Sequence, residues 1–265
     1  MNRIERRFAE LQTAGRKGLV VYIGAGDPNL EATRLLALAF DEAGVDVLEL
    51  GVPFSDPLAD GIVNQLAAQR GLESGTTPPK ILETVGRIRQ QSQIPLVLYV
   101  YFNLLHRVGL ANFIAAAAAA GVDGLLILDL PPEEADDYER LMLAAQLCPI
   151  WLIAPTTPAD RIARIVRRGR GFLYYVSREG VTGMQATISD TIQQMTAQIR
   201  AHSALPIAVG FGISNPEQAR AVAQYAEAVV VGSAVVNRIA EHGHLPDLVP
   251  RVAGFVRELA VALHS

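Results

Sequence analysis

Two carboxylates in one short segment are the side chains best placed for acid–base chemistry. Glu49 lies within the apolar run 47–50, and Asp60 follows eleven residues later in a loop rich in proline, aspartate and glycine. A carboxylate on an apolar strand must face the mouth of the fold, because burying its charge elsewhere would cost several kcal/mol. Apolar surroundings raise the pKa of such a group, so Glu49 could donate a proton near neutral pH while Asp60 anchors a ligand. The alternative is a structural carboxylate bonded to loop amides.

Glycine-rich turns follow two of the later apolar runs and predict an anion site. One turn has the sequence GFGIS at residues 210–214, and the other begins with Gly232 and Ser233. Backbone amides can approach a phosphate closely at glycines, and a helix that begins there adds the positive end of its dipole. Since neither turn contains lysine, we predict a phosphate held mainly by main-chain N–H groups. The alternative is that these glycines only close tight turns.

Eight short apolar runs predict the strands that position these residues. Apart from Glu49 and Asp129 they are apolar throughout instead of alternating, which is typical of strands buried on both faces of a parallel sheet. The runs are residues 19–23, 47–50, 96–101, 125–130, 150–153, 172–176, 207–209 and 229–231.

Helical segments with recognisable start signals lie between the runs. Thr157 followed by Pro158 marks one start, and Ser214 three residues before Glu217 has the spacing of a capping box. The chain therefore alternates strand and helix.

Eight strands and about eight helices predict a single (β/α)8 TIM-barrel domain over residues 1–265. A doubly wound sheet is disfavoured because no G-x-G-x-x-G follows the first run. An extra N-terminal helix, in which Ile4, Phe8 and Leu11 recur at helical spacing, is expected to cover the bottom of the barrel. In such a barrel the site lies at the carboxyl ends of the strands.

Composition excludes several classes of function. Half of the 265 residues are hydrophobic, the net charge is −4, and the basic residues form no face that could bind nucleic acid. No apolar run approaches the length of a membrane span, and the charged N-terminus does not resemble a signal peptide. The lone Cys148 can build neither a disulfide framework nor a metal cluster. We predict a soluble, cytoplasmic protein without a metal.

Several motifs together resemble the tryptophan synthase α subunit family over nearly the whole chain. The most specific is ELGVPFSDPLADG at residues 49–61. It is accompanied, in the family's order and spacing, by GDP at 26–28, SREGVTG at 177–183, GFGIS at 210–214 and GSA at 232–234.

This resemblance implies a retro-aldol cleavage of indole-3-glycerol phosphate to indole and glyceraldehyde 3-phosphate, without a cofactor or metal. It implies that Glu49 is the acid–base residue and that Asp60 bonds the indole N–H and stabilises positive charge on the ring. It also implies a set of substrate-binding residues: Tyr22, Tyr99, Tyr174, Thr182, Gly183, Phe211, Gly212, Gly232 and Ser233.

The resemblance further implies an α2β2 complex with a tryptophan synthase β subunit, which converts indole to tryptophan with pyridoxal phosphate. The loops 53–60 and 177–187 would close over the substrate and face this partner, with Thr182 contacting Asp60. The docking surface would include Pro53, Asp56, Asn103 and Pro131.

Three positions depart from the family pattern. Ile62 replaces a proline, Asn64 stands where an apolar residue is common, and Gly24 replaces a threonine. Loss of the proline is expected to loosen the presentation of Asp60, and Gly24 to enlarge the space near the first strand.

Three other functions stay open at this point. The chain could be a regulatory subunit that binds ligand and activates the β subunit while cleaving little. It could be a free-standing lyase that releases indole. It could also be another phosphate-binding barrel, such as a sugar-phosphate isomerase, although that would not explain the long loop after Glu49.

Overall fold

The computed structural model describes residues 1–176, 185–210 and 212–264. Eight parallel strands form a closed barrel in which each strand pairs with its neighbours in chain order. The strands are β1 Gly18–Gly24, β2 Val47–Gly51, β3 Leu96–Val100, β4 Gly124–Ile127, β5 Cys148–Ile153, β6 Leu173–Val176, β7 Ile207–Gly210 and β8 Ala228–Val231. All eight predicted strands and the predicted TIM barrel are confirmed.

Helices surround the barrel and are more numerous than the eight expected. The described residues contain α1 Arg3–Thr13, α2 Leu30–Ala43, α3 Ile62–Glu73, α4 Pro78–Arg89, α5 Phe102–Val108, α6 Leu110–Ala120, α7 Asp136–Ala144, α8 Ala159–Arg168, α9 Gln185–Arg200, α10 Pro216–Ala223, α11 Ser233–His242 and α12 Leu248–His264. The extra helices arise mainly because the connections after β2, β3 and β8 each contain two. None of the helices described has the length and apolar character needed to cross a bilayer.

The N-terminal helix α1 closes the amino end of the barrel, as predicted. Ile4, Phe8 and Leu11 are buried in one cluster with inward-facing strand residues, among them Val20 and Val47. This helix seals the bottom with apolar contacts, so the opposite end is left open for a site.

Two helices begin one residue later than predicted. The residue preceding α8 is Pro158, while the Thr157 hydroxyl accepts a hydrogen bond from a loop amide. At α10 the cap is Asn215, whose side chain accepts from the Gln218 amide at 2.9 Å. Ser214 instead donates to the Gln218 side chain. Asn215 is the N-cap because its side-chain oxygen accepts from an amide of the first turn, and Pro216 after it is favoured as the first helical residue.

Candidate functional site

A cavity of about 540 Å³ lies at the carboxyl ends of the strands and brings most of the predicted site residues together. The predicted residues that line it are Tyr22, Glu49, Asp60, Tyr99, Tyr174, Gly212, Gly232 and Ser233. Three further predicted residues, Thr182, Gly183 and Phe211, lie outside the described residues.

Glu49 lies in the middle of β2, with Tyr22 of β1 and Val97 of β3 as its register neighbours. Its side chain is 0% exposed to solvent. Within the described residues neither carboxyl oxygen has a hydrogen-bond partner, so the predicted alternative of a carboxylate tied to loop amides is not observed. Burial raises the pKa of Glu49 to about 8, because the charged form loses its hydration. Glu49 is therefore mostly protonated at neutral pH.

Asp60 is held from two sides by tyrosines of β3 and its extension. The Tyr99 hydroxyl donates to Oδ1 at 2.8 Å, and the Tyr101 hydroxyl donates to Oδ2 at 2.8 Å. Tyr101 also accepts a hydrogen bond from the Ala59 amide at 3.0 Å, and Gln65 Nε2 donates to the Asp60 carbonyl at 2.8 Å. These bonds fix both the carboxylate and the loop that carries it.

The tyrosines of the cavity keep their hydroxyl protons at neutral pH. Burial, followed by the nearby Asp60 charge, raises the pKa of Tyr22 and of Tyr99 well above the usual value. Burial, followed by Glu49, does the same for the pKa of Tyr174. The rings of Tyr22 and Tyr99 meet edge to face with centroids 4.9 Å apart. Aromatic walls of this kind suit a flat apolar ligand.

The glycines at the ends of β7 and β8 form the other side of the cavity. Gly212 has φ 63°, a conformation that side chains rarely adopt. Helix α11 begins at Ser233 directly after Gly232 and has no side-chain cap, whereas Asn215 caps α10. The free first-turn amides of α11 are thus the ones available to an anion.

Of two expectations drawn from the departures near the site, one stays a prediction and one is wrong. Ile62 occupies the first position of α3, and the tyrosine hydroxyls and Gln65 bond to Asp60. A looser presentation of Asp60 without the proline stays a prediction. Gly24 does not open extra space: a Cβ added there would lie 3.1 Å from the Cβ of Ala67. Helix α3 packs closely on β1 and takes that volume.

An ion pair that the sequence analysis did not find anchors α3. Asp27, which is 1% exposed, receives Nε and Nη2 of Arg70 at 2.8 and 2.7 Å. It joins the end of β1 to the helix that follows the Asp60 loop. Asp27 was part of a quoted motif, but no local signal connects it to a partner 43 residues away.

The residues predicted for partner docking lie around the rim. Asp56, Asn103 and Pro131 are exposed, whereas Pro53 is buried. Pro53 lies so close to Gly71 that a Cβ added at Gly71 would be 3.3 Å from the Cβ of Pro53. Pro53 can therefore shape the rim but offers little surface of its own.

A larger groove of about 980 Å³ shares Tyr99 and Tyr174 with the cavity and includes Asp129 and Pro131. Asp129 Oδ1 accepts a hydrogen bond from the Phe102 amide at 2.7 Å. This bond supports the start of α5.

Among the described residues, no cluster of three or more His, Cys, Asp or Glu side chains could hold a metal ion. The arrangement is thus a protonated carboxyl, an anchored carboxylate, aromatic walls and an anion corner in one cavity. Such a set can protonate a carbon or oxygen of a ligand whose other end carries a phosphate.

Comparison with known proteins agrees over nearly the full length. The family model described as tryptophan synthase alpha chain matches residues 8–263. The tryptophan synthase alpha chain of Opitutus terrae is 51% identical over 247 residues, 93% of each chain. That of Geobacter sp. strain M21 is 47% identical and covers 98% of this chain and 97% of its own.

Solved structures show the same similarity in three dimensions. Tryptophan synthase subunit alpha from Legionella pneumophila str. Paris superposes with a TM-score of 0.92 at 37% identity, covering 99% of this chain and 98% of that one. Tryptophan synthase from M. tuberculosis in its aminoacrylate-bound form gives 0.89 at 31% identity, covering 100% of both chains. The chain therefore belongs to the tryptophan synthase alpha chain family.

Proposed function

We propose that this chain cleaves indole-3-glycerol phosphate to indole and glyceraldehyde 3-phosphate in tryptophan biosynthesis, in the cytoplasm and as the α subunit of an α2β2 complex. The observation that carries the proposal is the fully buried Glu49, with no hydrogen-bond partner among the described residues, in one cavity with Asp60 and the glycine corner. No metal or organic cofactor takes part in this reaction.

Glu49 supplies the proton and later recovers one. Its neutral carboxyl protonates C3 of the indole ring, which moves positive charge onto the ring nitrogen. The resulting carboxylate accepts the proton of the C1′ hydroxyl as the C3–C1′ bond breaks. The bonding electrons return to the ring and C1′ becomes an aldehyde, so Glu49 ends in its starting state. A pKa of about 8 suits both steps, since either protonation state is accessible near neutral pH.

Asp60 stabilises the charge that develops between these steps. Its carboxylate is an acceptor for the indole N–H, and the ring nitrogen shares the new positive charge. Because Tyr99 and Tyr101 already fix both oxygens, little reorganisation is needed when the charge appears. Tyr22, Tyr99 and Tyr174 surround the ring and keep water from it.

The phosphate binds at the start of α11. Gly232, Ser233 and Gly212 bring main-chain N–H groups and the helix dipole to this end of the cavity. Binding the non-reacting phosphate holds the C3–C1′ bond beside Glu49. Gly183 and Phe211 are proposed to complete this end, and Thr182 to contact Asp60.

A β subunit is the proposed partner. The structure from M. tuberculosis that this chain resembles is of tryptophan synthase in an aminoacrylate-bound form. Asp56, Asn103 and Pro131 are exposed on the same rim as the cavity and the adjoining groove, where a docked partner could receive indole directly. Pro53 would support that rim from within.

One assay tests the function. Purified chain is given indole-3-glycerol phosphate with and without a β subunit, and indole release is followed. We expect release, and a faster rate with the partner. Fast release unaffected by the partner would support the free-standing lyase. No release in either case, with strong stimulation of the β reaction, would support the regulatory subunit, and no effect of either kind would favour another phosphate-binding barrel.

A further inference from the structure

Asn64 is a polar side chain of the cavity that the proposed mechanism does not use. It is the third residue of α3 and lines the same cavity as Glu49 and Gly232. Its Oδ1 atom is buried and has no hydrogen-bond partner among the described residues. An unpaired buried oxygen costs about 1–3 kcal/mol, so such an atom inside a cavity points to a ligand group that pairs with it.

The first turn of α3 holds Asn64 in place. The amides of Asn64 and Gln65 both donate to the Gly61 carbonyl at 3.0 Å. Gln65 directs its side chain to the Asp60 carbonyl. Consecutive residues of this turn therefore serve different purposes: Gln65 fixes the loop that carries Asp60, and Asn64 contributes to the cavity wall.

The substrate of the proposed reaction offers one group that still lacks a partner. Glu49 takes the proton of the C1′ hydroxyl, Asp60 takes the indole N–H, and the glycine corner takes the phosphate. The C2′ hydroxyl lies between C1′ and the phosphate and is not involved in bond breaking. A hydroxyl both donates and accepts, so it can pair with either end of a carboxamide.

We propose that the Asn64 carboxamide binds the C2′ hydroxyl of the substrate and so selects for hydroxylated three-carbon phosphates; this rests on the proposed function. The interaction is made equally in the substrate and in glyceraldehyde 3-phosphate, which keeps the same hydroxyl. Asn64 therefore contributes to binding more than to the chemical step, and its loss raises KM more than it lowers kcat.

The test compares two ligands that differ at this hydroxyl. D-Glyceraldehyde 3-phosphate has it, whereas indole-3-propanol phosphate keeps a ring, a three-carbon chain and a phosphate but has neither hydroxyl. Binding to the full chain is measured by calorimetry for wild type, Asn64→Leu and Asn64→Ala. The matched control is Asn112→Leu, since Asn112 is exposed on α6 away from the cavity.

We expect Asn64→Leu and Asn64→Ala to raise the Kd for glyceraldehyde 3-phosphate about tenfold, the effect of one hydrogen bond of this kind. The Kd for indole-3-propanol phosphate should stay within about twofold of wild type or fall. KM for indole-3-glycerol phosphate should rise by a similar factor. Asn112→Leu should not change the affinity for either ligand. Asn64→Ala, which adds no bulk, decides the case if the leucine variant does not fold.

Equal weakening of both ligands, or no weakening of either, would overturn the assignment, because the hydroxyl would then not be the group that Asn64 recognises. The proposed function fails differently, through absence of indole release by the wild-type chain. In that event the difference between the two phosphates still decides whether Asn64 binds a hydroxyl.

Discussion

Opposite surroundings distinguish Glu49, at the carboxyl end of the barrel, from Asp46 and Asp123, two buried carboxylates at the amino end. At the amino end, Asp46 and Asp123 are 1% and 2% exposed, and both are fully engaged. Asp46 contacts Arg7, the Leu19 amide and His264, and Asp123 contacts Arg3, Arg89 and the Leu96 amide. At the carboxyl end, Glu49 is 0% exposed and has no such partner in the described part of the chain.

This difference distinguishes carboxylates that stabilise the fold from a carboxyl group that can react. A buried carboxylate that is surrounded by donors ties elements together, as Asp123 ties α1, α4 and β3. A buried carboxyl without donors is costly when charged, holds its proton to higher pH and remains free to react. The same residue class thus gives a structural anchor at one end and a proposed acid at the other.

The largest expected effect is that of Glu49→Gln. The amide has nearly the same shape but cannot transfer the proton, so indole release should fall about 10³-fold or more. The variant should fold and bind a phosphate ligand like wild type. Steady-state indole release and calorimetry with indole-3-propanol phosphate check both parts.

The same variant has a testable effect on stability. The folded-state pKa of Glu49 is about 8 against an ordinary value of 4.5. Glu49 therefore does not lower the free energy of unfolding of wild type below pH 4.5, and it lowers it increasingly as pH rises towards 8. Glutamine does not ionise, so the difference in free energy of unfolding between variant and wild type should favour the variant more at pH 8 than at pH 5. Thermal unfolding of both proteins at both pH values measures this difference. A variant less stable than wild type at pH 8 would mark Glu49 as a structural carboxylate.

Next in size is Asp123→Asn at the opposite end. It leaves Arg89, 9% exposed, without its charge partner, and we expect a loss of about 3–5 kcal/mol in the free energy of unfolding. Activity per folded molecule should not change. Urea unfolding measures the loss, with Asp137→Asn as the control, since Asp137 is 81% exposed and should change stability by less than about 0.5 kcal/mol. A large fall in kcat for the folded Asp123 variant would contradict the separation of the two ends.

A smaller effect is expected from Tyr99→Phe, which removes one of the two hydroxyls on Asp60. The hydrogen bond is to a charged group, so kcat should fall about tenfold while KM stays within about twofold. In an Asp60→Ala background the same change should have no further effect, because the hydroxyl acts through Asp60. Tyr225→Phe, outside the cavity lining, is the control. Equal losses in both backgrounds would show that Tyr99 acts without Asp60.

The smallest effect concerns Ile62, the first residue of α3. It is 66% exposed, and proline is favoured at this helical position because the N–H there needs no helical partner. Ile62→Pro should raise the free energy of unfolding by about 0.4–1 kcal/mol and leave kcat within about twofold, since the tyrosines already hold Asp60. Denaturant unfolding checks the first value. A several-fold rise in kcat would instead show that the loop is loosely held without proline.

Local patterns were enough to predict the barrel, its eight strands and the covering helix, because buried strands and an amphipathic helix leave direct signals in hydrophobicity. The strand ends were less accurate: the run 125–130 ends as strand at Ile127. Leu128 and Leu130 are also apolar, but residues 128–130 line the groove beside the site instead of pairing in the sheet.

The predicted placement of Glu49 and the glycine corner follows from topology alone, since carboxyl ends of parallel strands meet at one face. The hydrogen bonds from Tyr99 and Tyr101 to Asp60 could not be predicted in this way. They depend on how a 10-residue connection from Val52 to Gly61 folds back over β3, and the partners lie 39 and 41 residues apart. The pairing of Asp27 with Arg70 is hidden for the same reason.

The most direct test of the account is the titration of Glu49 itself. In protein labelled with ¹³C at glutamate carboxyl groups, the Glu49 signal is identified by its loss in Glu49→Gln, and its shift is followed from pH 4 to 10. We expect a midpoint near 8, the value set by burial without a partner. A midpoint near the ordinary 4.5 would show that the group is solvated or paired, and the proposed proton donor would not exist.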